Sequence, residues 1–197
     1  MPYAIHELGP YASAAEILNA TNAIIGREPK HHGTKKRQIG VNIVGGEEVQ
    51  FRSDTNCYLN WHSEGYDVNS DNIEFLCLYC IKSATHGGET LTCEFTEILD
   101  NGILSNAKIR VRKNGTSWSN WISVYDGVRL RFTLPDTGKD VQYKDIDFSV
   151  QELQELIDRN KTPHLLNPGQ LLIIDNNKTL HARNSYLGER QLLRMVY

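Results

Sequence analysis

Two stretches of the chain carry the spacing of apolar positions that is typical of amphipathic helices. Ser13-Ala-Ala-Glu16 is a capping box that precedes apolar residues on one helical face, and Gly26 is a stop signal. This pattern predicts a helix over residues 13–25. A second capping box, Ser149-Val-Gln-Glu152, begins another predicted helix, whose apolar stripe consists of Leu153, Leu156 and Ile157.

The rest of the chain follows the short period of β-strands. Short apolar or alternating segments end at glycine and asparagine residues, which are typical of turns. The predicted strands are residues 41–44, 73–81, 107–112, 128–132, 170–175 and 191–197. Many short strands and two helices predict a mainly β fold with flanking helices, arranged as a closed barrel or as two packed sheets.

The composition narrows the class of protein. The 197 residues contain no internal repeat or linker, so we expect one domain over residues 1–197, with a barrel that begins at about residue 39. The net charge of −3 argues against a nucleic-acid partner, and the basic residues 30–37 lack interleaved aromatic side chains. No apolar run is long enough to cross a bilayer. The N-terminus lacks the features of a signal peptide, so we expect a cytoplasmic protein.

Two of the four cysteines have the CxxC spacing of redox and zinc sites. However, Cys77-Leu-Tyr-Cys80 lies inside a predicted apolar strand, whereas zinc ligands of this kind lie on tight turns beside a second ligand pair. We therefore expect Cys77 and Cys80 to be buried structural thiols.

One histidine has a context that points to metal chemistry. His62 and Glu64 are two residues apart in an extended segment, so their side chains project to the same side. With a second histidine, for which His181 is the candidate, they would form the two-histidine, one-carboxylate set that holds non-haem Fe(II) and leaves positions open. A histidine near an acid is also common by chance, so the residues alone leave a surface polar pair as the alternative.

Three separated blocks strengthen the metal hypothesis. They are Trp61-His62-Ser63-Glu64-Gly65, then residues 75–90 with Gly87-Gly88-Glu89-Thr90 at their end, and then residues 167–194, which contain Leu180-His181-Ala-Arg183 and Gly188-Glu-Arg-Gln-Leu-Leu-Arg194. Together and in this order, they resemble the Fe(II)/2-oxoglutarate-dependent dioxygenases of the TauD/clavaminate synthase-like family. The resemblance implies a double-stranded β-helix, a jelly-roll or cupin-like barrel, which agrees with the strand pattern.

The resemblance also implies roles for individual residues. His62, Glu64 and His181 match the family's iron ligands, and Arg194 and Thr90 match the residues that bind the co-substrate 2-oxoglutarate. The implied protein is an enzyme that uses Fe(II), 2-oxoglutarate and O₂, and that releases succinate and CO₂. It would hydroxylate, desaturate or cyclise a small polar metabolite, with an amino acid or an amino-acid-derived natural product as the leading candidate.

Two arginines compete for the distal carboxylate of 2-oxoglutarate. Period-two alternation places Arg194 on one strand face with Leu192 and Val196, which predicts that Arg194 points into the barrel. We expect Arg190, at the start of the strand, to be solvated. Candidate substrate contacts and pocket-lining residues are Arg183, Arg129, Arg131, Trp61, Trp118 and Trp121.

Two other classes of protein remain open at this point. A cupin-like metal-dependent isomerase would use the same barrel, although such sites usually contain a denser histidine cluster. A non-catalytic β-barrel binding protein would leave His62 and His181 unrelated. We expect a small-molecule partner and neither a nucleic-acid nor a membrane partner, and the sequence predicts no oligomeric state.

Overall fold

The structure, a computed structural model, describes most of the chain. The described residues are 2–9, 13–29, 56–66, 72–95, 98, 104, 106–113, 116–135, 139–146 and 149–197. The predicted strand at 41–44, the start of the barrel at residue 39 and the basic stretch 30–37 lie outside these ranges.

Both predicted helices are present, and each begins at its predicted capping box. Helix α1 spans Ala14–Ile25, is capped by Ser13 and Glu16, and ends at Gly26 in the left-handed conformation, with φ of 81°. Helix α2 spans Val150–Arg159 and is capped in the same way by Ser149 and Glu152. No helix among the described residues is long and apolar enough to cross a membrane.

Short strands make up most of the regular secondary structure among the described residues, which confirms the prediction of a mainly β protein. In chain order they are β1 Tyr3–Glu7, β2 Leu59–His62, β3 Phe75–Lys82, β4 His86–Gly87, β5 Thr90–Glu94, β6 Lys108–Lys113, β7 Ile122–Ser123, β8 Lys139–Lys144, β9 Thr162–His164, β10 Gln170–Asp175, β11 Thr179–Arg183, β12 Tyr186–Leu187 and β13 Gln191–Val196.

Two four-stranded antiparallel sheets form the main body. The first has the order β1-β10-β3-β13, and the second has the order β2-β11-β5-β9. A two-stranded sheet, β12-β4, and a three-stranded sheet, β7-β6-β8, complete the described topology. Strands β10 and β11 follow each other closely in the chain but lie in different main sheets, so residues 176–178 pass from one sheet to the other.

Side-chain alternation sorts the faces of these sheets. One face of the first sheet packs against α1 through Ile17, and the other face carries a second apolar cluster that includes Leu78, Leu192 and Val196. One face of the second sheet packs with α2 and the three-stranded sheet, and its opposite face is polar, with the side chains of His62, Thr90, Thr92, His181 and Arg183.

Contacts between polar residues join the two main sheets. The ring of Tyr3 in β1 packs edge-on against that of His164 in β9, with centroids 4.5 Å apart. Arg194 in β13 forms an ion pair with Glu64, which follows β2. The polar face of the second sheet therefore lies within reach of side chains from the first.

The prediction of a strand at 128–132 is wrong. Residues 128–132 contribute only an isolated bridge between Leu130 and Tyr125. The Asp126 carboxylate accepts hydrogen bonds from the backbone N–H groups of Val128 and Arg129. These bonds stabilise a turn at the start of the segment. The segment still supports the site region, because the backbone N–H of Ser63 donates to the carbonyl of Phe132.

The cysteine prediction is confirmed. Cys77 and Cys80 are buried free thiols, and they pack into different apolar clusters on the two faces of β3. Burial raises the pKa of Cys77 to about 12. The spacing that resembles a redox motif is therefore a consequence of two inward-packing positions on a buried strand.

Candidate metal site

The structure brings together the three residues that the sequence nominates as metal ligands. His62, the last residue of β2, lies opposite His181 of β11 in the sheet, and Glu64 follows two residues later. One potential ligand atom from each residue lies within 4.8 Å of the others. Glu64 Oε1 is 3.6 Å from His181 Nε2 and 4.0 Å from His62 Nε2.

The donor set suits a divalent cation. His62 Nδ1 lies 2.8 Å from the carbonyl oxygen of Asn60. Because a carbonyl only accepts, Nδ1 donates this hydrogen bond, and in the neutral imidazole the lone pair is then on Nε2, on the side of Glu64. His181 is 4% exposed, and no described residue hydrogen-bonds its Nδ1. Two imidazoles and one carboxylate are the ligand types that non-haem Fe(II) takes.

A buried asparagine that the sequence reasoning missed holds Glu64 in place. The Oδ1 atom of Asn176 accepts a hydrogen bond of 2.8 Å from the backbone N–H of Glu64, and its Nδ2 donates to the Glu64 carbonyl at 3.1 Å. The same Nδ2 also donates to the carbonyl of Ile73 at 2.8 Å. Asn176 follows β10 directly, so the turn between the two main sheets positions the backbone of the carboxylate residue. Its place in the third block, residues 167–194, is the sequence signal that could have identified it.

The charge of Glu64 is balanced by an arginine from the first sheet. Arg194 Nη2 lies 2.7 Å from Glu64 Oε2, and Arg194 Nε lies 3.3 Å from Oε1. Burial alone would raise the pKa of Glu64, but Arg194 and then the two histidines hold it well below its usual range. Glu64 is therefore a carboxylate, the form that binds a metal.

The two candidate arginines for 2-oxoglutarate occupy different surroundings. The expectation that Arg190 is solvated is wrong, because its Nη2 donates to Thr90 Oγ1 at 3.3 Å and its stem passes over Gly88. A Cβ atom at Gly88 would lie 3.1 Å from Arg190 Cδ, which explains the glycine there. Burial and the charge of Arg183 lower the pKa of Arg190 to about 10. Arg194 shares its strand face with Leu192 and Val196, as expected, but its guanidinium contacts Glu64.

The candidate substrate residues divide into two groups. Arg129 Nη2 lies 3.4 Å from the carbonyl of Gly65, next to Glu64, and buried Arg183 donates to the Cys57 carbonyl beside the ring of Tyr186. The other group packs in the core, pairs with Asp126 or stacks on the three-stranded sheet.

Three tryptophans and one arginine that the sequence proposed as pocket or substrate residues make packing or ion-pair contacts within the protein instead. Trp61 is fully buried in the core behind the site, because neighbouring residues on β2 point to opposite faces. Arg131 forms an ion pair with Asp126 at 2.7 Å. Trp118 and Trp121 stack with Arg110 on the three-stranded sheet, at 4.8 and 4.6 Å from the guanidinium carbon to the ring centroids.

A comparison with protein families matches the C-terminal part of the chain. The family model described as "Taurine catabolism dioxygenase TauD, TfdA family" matches residues 138–196, which include His181, Arg190 and Arg194. A comparison with curated proteins gave no match.

Solved structures of iron oxygenases share the fold. Asparagine oxygenase in complex with Fe(II), 3-hydroxyasparagine and succinate is 21% identical, with a TM-score of 0.63, over 80% of this chain and 55% of that one. PvcB from Pseudomonas aeruginosa is 18% identical, with a TM-score of 0.67, over 99% and 75%. The non-heme iron oxygenase OrfP with Fe and alpha-ketoglutaric acid is 15% identical, with a TM-score of 0.68, over 100% and 74%.

The solved structures define the fold of the chain. The fold is that of the iron- and 2-oxoglutarate-dependent oxygenases, and the chain spans about half the length of the asparagine oxygenase. The match of residues 138–196 to the TauD/TfdA family model agrees with the family that the sequence motifs predicted.

Proposed function

We propose that the chain is an Fe(II)- and 2-oxoglutarate-dependent oxygenase that hydroxylates, desaturates or cyclises a small polar metabolite. The observation that carries the proposal is the convergence of His62, Glu64 and His181, with ligand atoms within 4.8 Å of one another. We also propose that the two main sheets are the halves of a double-stranded β-helix within a single domain. The fold shared with iron oxygenases supports both proposals over an isomerase or a binding protein.

The three residues would hold the metal through His62 Nε2, His181 Nε2 and Glu64 Oε1. The Asn60 carbonyl keeps the proton of His62 on Nδ1, and Asn176 fixes the backbone of Glu64. When bound, Fe(II) would bind 2-oxoglutarate and O₂ at its remaining positions and supply the oxidising chemistry, with succinate and CO₂ as co-products.

Arg190 and Thr90 are the better candidates for holding the distal carboxylate of 2-oxoglutarate. Thr90 Oγ1 already accepts a hydrogen bond from Arg190, so both side chains face the same position. Arg190 forms no ion pair with a described carboxylate, whereas Arg194 is paired with Glu64. A half-buried guanidinium without an anionic partner favours binding of a carboxylate ligand, and its fork suits bidentate contact.

The substrate class rests on the neighbours in the fold comparison. Asparagine oxygenase was solved with hydroxyasparagine, and OrfP was solved with (3S)-hydroxy-L-Arg. An amino acid or a derivative of one is therefore the proposed substrate of this chain. Arg129 and Arg183 remain the proposed contacts to the substrate.

Turnover of 2-oxoglutarate tests the function. The purified protein, supplied with Fe(II), ascorbate, O₂ and a panel of amino acids, should form succinate and a product that has gained oxygen or lost two hydrogens. His181→Ala should abolish both. No succinate with any substrate, or full turnover in His181→Ala, would contradict the proposal.

The arginine assignment has its own measurement. Loss of charged hydrogen bonds worth about 1.5–3 kcal/mol should weaken 2-oxoglutarate binding about 10–100-fold in Arg190→Gln. Arg194→Gln is the matched variant, and at saturating metal it should change this affinity less. The reverse order would return the role to Arg194.

A further inference from the structure

We infer that Arg194 is a positioning residue for the metal site: it contacts both oxygens of Glu64, Oε2 more closely than Oε1, and so keeps Oε1 facing the two imidazoles. The inference rests on the proposed function, because it gives Glu64 the role of a metal ligand. It assigns Arg194 a role different from contact with 2-oxoglutarate.

The two oxygens of Glu64 have different neighbours. The closest contact of Oε2 is the Arg194 Nη2 donor at 2.7 Å. The Oε1 atom lies 3.6 Å from His181 Nε2 and 4.0 Å from His62 Nε2, and Arg194 Nε reaches it only at 3.3 Å. The stronger bond therefore restrains the oxygen on the far side of the carboxylate and leaves the near oxygen directed at the imidazoles.

Neighbouring residues of the first sheet hold Arg194 in position. It lies on β13 opposite Leu78 of β3, in the face that also carries Leu192 and Val196. Apolar neighbours on both sides support the aliphatic stem, and the side chain as a whole is 40% exposed. The planar fork of arginine can fix the plane of a carboxylate by contacting both oxygens, which a lysine cannot do as well.

Glu64 is thereby restrained from two directions. Asn176, in the turn that follows β10, binds its backbone, and Arg194 of β13 binds its carboxylate. Groups that orient metal ligands typically change metal affinity about 10–100-fold when removed. Removing Arg194 would also remove the repulsion between its charge and the bound cation. Solvent screens the charge of this partly exposed side chain, so we expect the loss of Glu64 orientation to have the larger effect on metal affinity.

Binding of Co(II) in the absence of 2-oxoglutarate separates this role from contact with the co-substrate. Wild type should bind Co(II) with a visible absorption spectrum that is lost in His181→Ala. Arg194→Met should weaken Co(II) binding at least about tenfold and alter the spectrum, because the second carboxylate oxygen becomes available to the metal. Arg194→Lys keeps the charge and a hydrogen-bond donor, so its Co(II) affinity should lie between those of wild type and Arg194→Met.

Arg112→Met is the matched control, since Arg112 pairs with Asp140 on the three-stranded sheet, away from the site. It should leave Co(II) affinity and spectrum unchanged. Circular dichroism establishes that each variant is folded, and if Arg194→Met is not, Arg194→Lys alone must show the weaker binding and altered spectrum.

The outcomes are distinct. An Arg194→Met protein that binds Co(II) as wild type does, but binds 2-oxoglutarate more weakly, would overturn the inference and leave the proposed function intact. A wild-type protein whose Co(II) binding does not depend on His181 would overturn both.

Discussion

Asn176 offers a quantitative test of how the turn between the two main sheets builds the site. Asn176→Ala removes three hydrogen bonds, two to the backbone of Glu64 and one to the carbonyl of Ile73. Asn176 is only 2% exposed, so water cannot easily replace the lost partners. We count about 1 kcal/mol for each partly buried group of Glu64 and about 1–2 kcal/mol for the buried carbonyl.

The expected loss in the free energy of unfolding is therefore about 3–4 kcal/mol. A domain with an ordinary stability of about 5–15 kcal/mol should remain folded after this loss, so the native variant can be studied. Urea denaturation measures the difference, with an unchanged dependence on denaturant as evidence that the unfolded state is comparable.

The neighbouring Asn177→Ala is the matched control for this experiment. Asn177 is partly exposed, and it donates a hydrogen bond to the Asp175 carboxylate through its backbone N–H, which alanine retains. Its replacement should change stability by less than about 0.5 kcal/mol. Asn176→Ala should also weaken Co(II) binding, because the backbone of Glu64 is released. If both variants had the same stability and the same metal affinity, the positioning role of Asn176 would be refuted.

Three further predictions concern other parts of the fold. In the native protein, iodoacetamide at pH 8 should modify exposed Cys57 much faster than Cys77, since burial raises the pKa of Cys77 to about 12 and the thiolate is the reactive form; equal rates measured by mass spectrometry would show that β3 opens readily. Burial raises the pKa of Asp126, but hydrogen bonds from backbone N–H groups and from Arg131 bring it down to about 2. Because this pKa lies below the unfolded-state pKa of about 3.9, ionised Asp126 stabilises the native state above about pH 3.9, and this stabilisation is lost as the pH falls towards 2. Asp126→Asn should therefore be less stable than wild type at neutral pH, and the difference in stability between the two proteins should shrink in acid. Ser149→Ala should cost about 1 kcal/mol in urea denaturation, because it removes the cap of α2, and an unchanged midpoint would contradict that role.

The sequence predicted those features that depend on local pattern. Capping boxes specify where a helix begins through bonds between residues three apart, so α1 and α2 begin where expected. The pairing of His62 with Glu64 is equally local. The partnership with His181 came from family resemblance, since no local pattern states that β2 and β11 are neighbours.

The features that the sequence did not predict depend on contacts between distant segments. Arg190 and Arg194 lie in one short segment, and only the three-dimensional arrangement decides that the first faces Thr90 and the second faces Glu64. Asn176 looks like an ordinary turn residue until its contacts with Glu64 are known. The position of Trp61 was open to prediction, because alternation on β2 places it on the face opposite to His62.

The distance along the chain between His62 and His181 has a consequence for folding. The two histidines become neighbours only when β2 has paired with β11, a contact of high sequence separation that forms slowly compared with local structure. A partly folded chain therefore has no complete site, and a metal ion that binds the three residues would bind the native state selectively. Each tenfold rise in free metal above its dissociation constant would then add about 1.4 kcal/mol to the free energy of unfolding. Metal supply would then set the equilibrium stability of the folded protein.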